Sequence, residues 1–167
     1  MITLEYRLND QEKGFPAIYH YSSIPKEELS LRLLCDYFTK DQKVYEKDSV
    51  ALEDDFLYII YVMEVQQEIQ QKIQEEVQQE IQQEIPIYPP QTSGLGYIVL
   101  ELREFLEGKT IFPLIKTSEF NTLQDLLNYT LINNITINGL IWEKTSLEID
   151  EDRKVYILYL RKIDQGR

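Results

Sequence analysis

The chain is short of the residues that most active-site chemistry draws on: its 167 residues include one histidine, one cysteine, one tryptophan and six glycines. A lone cysteine, Cys35, excludes an internal disulfide, and its place in the helix-like run "LRLLCDYF" marks it as a small buried hydrophobe. His20, in "AIYHYSS", has no second histidine to share a metal, so no His/Cys metal site and no cysteine–histidine nucleophile pair is expected. Gly94 and Gly96 in "SGLGY" precede a strand instead of opening a helix, which leaves no phosphate-cradling loop and no expected cofactor. Basic residues are also scarce, 17 against 29 acids for a net charge of −12, and no basic stripe exists. Direct nucleic-acid binding needs clustered Lys and Arg and is therefore disfavoured. No window approaches the roughly 18 apolar residues of a membrane span, and "MITLEYRLND" has neither a basic start nor an apolar signal core. The reading is a cytoplasmic protein with no membrane partner.

With 43% hydrophobic and 28% charged residues the chain can bury a core. The main organising signal is a repeated phrase. Tyr45-Glu46-Lys47 matches Trp142-Glu143-Lys144 at a spacing of 97, which also pairs Ser49 with Ser146 and Phe15-Pro16 with Phe112-Pro113. A spacing of 98 pairs Tyr58 and Tyr61 with Tyr156 and Tyr159, and one of 93 pairs Leu33-Leu34 with Leu126-Leu127. These anchors predict an internal duplication. The expected fold class is α+β, two tandem pseudo-symmetric ββαββ copies with mainly antiparallel sheet and one helix each. Copy 1 spans residues 1–64, a spacer 65–96 and copy 2 residues 97–167, the two copies packing as one unit.

In copy 1, strands are predicted over 2–8, 16–21, 43–52 and 56–64, with a helix over 25–38 striped by Leu29, Leu33, Leu34, Tyr37 and Phe38. In copy 2, strands are predicted over 97–106, 111–116, 140–149 and 154–163. Thr117 or Ser118 would cap a helix reaching 131, and Asn138-Gly139 signals an additional hairpin. "FLYIIYVM" is apolar on both alternating sets, so both of its faces should be covered. The spacer places Val65, Ile69, Ile73, Val77, Ile81 and Ile85 every four residues among Gln, Glu and Lys. This reads as a low-complexity helix, closed by Pro86, Pro89 and Pro90, whose stripe winds instead of forming a heptad seam.

Chemistry is thin in what remains. The acidic turns Glu53-Asp54-Asp55 and Asp150-Glu151-Asp152 recur at matching positions; paired carboxylates can hold a cation or share acid–base work, but hairpin tips favour solvated Asp. Neither a catalytic residue nor a metal ligand is assigned. Twelve tyrosines, several in strands, suit a protein interface as well as sheet packing. Residues 1–64 hold 13 acids and 7 bases, whereas 97–167 hold 11 and 9, so the first copy is the more negative. The expected function is a non-enzymatic protein-binding module of inhibitor, immunity or adaptor type. Glu53, Asp54, Asp55, Tyr58 and Tyr61 would meet another protein, a basic one for preference, and a homo-oligomer remains open. The alternative is a small-molecule sensor or enzyme with a carboxylate and tyrosine pocket between the copies.

Overall fold

A computed structural model describes residues 2–65 and 97–163. The spacer helix and its proline-rich end therefore lie outside the described residues. The first half runs β1 (Thr3–Leu8), β2 (Ala17–Ser22), α1 (Lys26–Leu34), β3 (Tyr37–Lys40), β4 (Lys43–Glu53) and β5 (Leu57–Glu64). The second runs β6 (Ile98–Glu104), β7 (Leu114–Phe120), α2 (Leu123–Thr130), β8 (Asn134–Ile137), β9 (Leu140–Asp150) and β10 (Val155–Lys162). All ten strands join one mixed sheet in the order β2-β1-β5-β4-β3-β9-β10-β6-β7, with β8 paired to β9. Among the described residues the protein is thus α+β with one large sheet and two helices.

This differs from two ββαββ units. Each half carries three strands after its helix, because the predicted first helix stops at Leu34. Cys35 is extended and the β-forming pair Tyr37-Phe38 enters a hairpin with β4 across Asp41 and Gln42, both at positive φ. Strand β7 likewise runs on through Thr117 and Ser118, and Thr122 caps α2 by accepting the Asp125 amide at 3.1 Å. The helices are spaced differently from the leucine pairs that suggested 93. α1 and α2 begin at Lys26 and Leu123, 97 residues apart, which sets buried Leu29 against buried Leu126. The Asn138-Gly139 turn does close a hairpin, β8–β9.

One edge of β9 is shared. Its first residues pair with β8, and Glu148–Asp150 pair in parallel with Tyr37–Thr39 of β3. That short ladder joins the two halves. Asp36 fastens its start, donating its amide to the Leu147 carbonyl at 2.7 Å and accepting the Leu147 amide on Oδ2 at 2.9 Å. Among the described residues β8 pairs only with β9, whereas β3 pairs with both β4 and β9. Leu4, Tyr6, Phe38, Ile60, Leu100, Leu147 and Leu158 form the main core with Leu29, Leu31 and Leu126 of the helices. On the other face Val99, Val155 and Ile157 cluster with Tyr159 and Ile59 is fully buried, so the expected cover of the second face holds around Ile59 but not at Met63, which is exposed farther along β5. Burying each such side chain contributes on the order of 1.5–3 kcal/mol.

Candidate functional site

The two acidic turns share a pattern in the sequence but differ in the fold. In the second, Asp150 is 6% exposed, and burial pushes its carboxyl up to about 6, with Glu148 and Asp152 adding to the rise and the Arg153 amide and charge opposing it. Glu151 accepts from Arg32 at 2.6 Å, from Lys40 at 2.6 Å and from the Tyr21 hydroxyl at 2.8 Å. Burial alone would raise its carboxyl, but the Lys40 and Arg32 contacts outweigh it and hold the group below its ordinary value. Asp152 accepts the Asp41 and Gln42 amides at 2.8 and 2.7 Å, which caps the β3–β4 turn. Glu151 and Asp152 clamp the halves together, whereas the Asp150 carboxylate meets Arg153 of its own half. The solvated reading of this turn is corrected: Asp150 and Glu151 are tied inward, and Asp152 binds the neighbouring turn.

The first turn is the open one. Glu53, Asp54 and Asp55 are exposed at the β4–β5 tip, with Asp54 and Asp55 at φ 49° and 60°, a backbone region Asp tolerates. Glu53 reaches Arg7 at 3.4 Å, a surface pair of little energetic weight. Tyr58 and Tyr61 do not converge on this turn. Tyr58 packs half-buried against the helix-side core, and Tyr61 lies on the opposite face, edge-on to Phe15 at 5.6 Å.

Exposed apolar side chains accompany the acids instead. Val50, Leu52 and Phe56 are 53%, 49% and 56% exposed. On β9, Leu147 and Ile149 are only 3% and 6% exposed and belong to the main core, and β3 pairs along that end of the strand. Among the described residues no strand pairs with Ser49–Glu53 on the side where β3 pairs with Lys43–Glu46. The missed signal was "SVALEDDF", whose Val and Leu precede the acids on a strand edge.

The other sequence candidates are spoken for. His20 Nδ1 meets Glu5 at 3.1 Å on the surface, and Cys35 is buried with its thiol pushed well up by desolvation. Among the described residues no three His, Cys, Asp or Glu side chains are grouped to hold a metal ion, and no helix is long and apolar enough to cross a membrane. A shallow cleft of about 330 Å³ sits beside Asp150, Glu151, Lys154 and Tyr156. Glu151 is already saturated there.

No family model, curated protein or solved structure matches this chain.

Proposed function

We propose that this protein is a protein-binding module that accepts an extended, basic segment of another protein as an added strand along Ser49–Glu53 of β4. The observation that carries the reading is the open edge, where Val50 and Leu52 are half exposed while Leu147 and Ile149 at the matching positions of β9 are covered. Strand addition supplies main-chain hydrogen bonds, Val50 and Leu52 supply apolar contact, and Glu53, Asp54 and Asp55 attract cationic flanks. Screening synthetic peptides that alternate Val or Thr with Lys, by fluorescence polarisation, tests it. Binding should weaken several-fold in D54K/D55K and with added salt, and should be lost when alternate peptide amides are N-methylated. Binding indifferent to N-methylation would reject the strand-addition mode. Concentration-dependent sedimentation of the protein alone would instead assign the edge to a second copy.

The same reading holds that the halves arose by duplication. Its support is that β1 pairs antiparallel with β2 and parallel with β5, as β6 does with β7 and β10. Across the sheet the second half follows in reverse order and direction, as a two-fold axis normal to the sheet would generate. An experimental structure in which 2–64 and 97–163 do not superpose would reject it.

A further inference from the structure

The junction between the halves is made once, although the fold offers its parts twice. β4 and β9 run antiparallel with β3 between them at one end, where it pairs with Lys43–Glu46 and with Glu148–Asp150. At the other end β8 pairs with Leu140–Glu143 on that same edge of β9, the edge that β10 leaves free. The outer edge of β8 and the open edge of Ser49–Glu53 therefore face one gap.

The parts of the made junction recur 97 residues on. Asp36 and Asn133 each offer a carbonyl to a lysine amide, that of Lys47 and that of Lys144, at 2.8 Å. The β3–β4 turn has positive φ at Asp41 and Gln42, and the β8–β9 turn has it at Asn138 and Gly139. Asp36 also bonds both backbone groups of Leu147, whereas among the described residues no bond joins Asn133 to Val50. Exposure divides the same way. Cys35, Leu147 and Ile149 are 3%, 3% and 6% exposed, and their counterparts Ile132, Val50 and Leu52 are 47%, 53% and 49% exposed. The fastening is what differs. Glu151 holds Arg32, Lys40 and Tyr21 at the made junction, and the counterparts of these four are Asp54, Tyr129, Ile137 and Ser118, with no cation among them. The turn before β5 is also one residue shorter than the turn before β10 and holds Asp54 at positive φ.

We propose that β8 is a displaceable occupant of the β4 edge: Asn134–Thr136 close in parallel onto Ala51–Glu53, in the register that Tyr37–Thr39 make with Glu148–Asp150. Asn133 then donates its amide to the Val50 carbonyl and accepts the Val50 amide on its side-chain oxygen, as Asp36 does with Leu147. Val50, Leu52 and Ile132 leave water on closure, which favours it, and the want of an ionic clamp keeps it reversible. Closure is a property of this chain alone. Its consequence, that β8 shuts out an incoming strand and so regulates the edge, rests on the strand-addition reading.

A51C/N134C sets two cysteines opposite one another in the closed register, at side chains that are not buried and away from Val50 and Leu52. Mild oxidation should cross-link them within one chain, read by mass spectrometry of the peptides, several-fold faster than in A51C/T136C, which is two residues out of register. Cys35 is buried and stays out of the exchange. Adding N133A should slow the in-register cross-link several-fold. Failure to cross-link, equal rates for the two pairs, or indifference to N133A would each overturn closure. By fluorescence polarisation, oxidised A51C/N134C should bind the alternating Val and Lys peptide several-fold more weakly than the same protein reduced, and equal binding would overturn the regulatory role. If wild type binds no such peptide while the in-register cross-link forms, strand addition fails and closure stands.

Discussion

Replacing Glu151 by Gln tests whether the halves are held by a charge-assisted clamp or merely by sheet pairing. The carboxylate joins three groups of the first half, and Arg32 is 5% exposed, so its guanidinium has little water to fall back on. Glu28, at 2.9 Å, still neutralises Arg32 after the change, and Gln keeps one acceptor oxygen. Breaking a buried ion pair outright costs about 3–5 kcal/mol. With Glu28 retained, we expect about 2–3 kcal/mol for E151Q and more for E151A, which also loses packing. For a chain of this length that lowers Tm by roughly 5–10 °C. Urea unfolding at neutral pH gives the free energy, and E151Q/K40Q should cost less than the two single changes together. The sign with pH is fixed by the lowered carboxyl. The wild-type advantage over E151Q is complete above the ordinary carboxylate range and disappears as pH falls through the depressed value. An E151Q variant within about 0.5 kcal/mol of wild type at pH 7, well short of a typical buried-pair loss, would refute the clamp.

Asp150 behaves in the opposite sense. A carboxyl raised to about 6 by burial costs stability when ionised, so the stability of D150N relative to wild type should grow from near zero at about pH 4 to at most about 3 kcal/mol above about pH 6.5, measured by urea midpoints. A gap that does not change across that range would contradict the assignment. Removing the α2 cap with T122A should cost about 1 kcal/mol by thermal unfolding. Cys35, buried with a raised thiol pKa, should resist a disulfide reagent in the folded protein and react on unfolding.

Strand positions were legible because the period-2 pattern and turn residues are local, and Asn138-Gly139 gave its hairpin directly. The end of α1 was not, because Tyr37 and Phe38 continue the helical apolar spacing while their burial is decided by β9, more than 100 residues away. The joining of the halves was hidden for the same reason. Glu151 and Asp152 look like an ordinary solvated turn until Arg32, Lys40 and the Asp41 and Gln42 amides are brought to them. The turn at Asp54 and Asp55 is exposed as expected, and Val50 and Leu52 lie in the strand the sequence predicts and pair with Ile60 and Tyr58 of β5, but the exposure of their side chains has no local signature.

The β3–β9 ladder pairs Tyr37 with Glu148, a contact between residues 111 apart. Such a contact closes a very long chain loop, and this makes it a late event in folding, after the β4–β5 and β9–β10 hairpins have formed. The entropy of that closure grows only with the logarithm of loop length, about 0.6 kcal/mol for a doubling. Adding or deleting four-residue units between Glu64 and Ile98 therefore barely changes the closure cost, and the number of units can drift while the clamp at Glu151 stays in register.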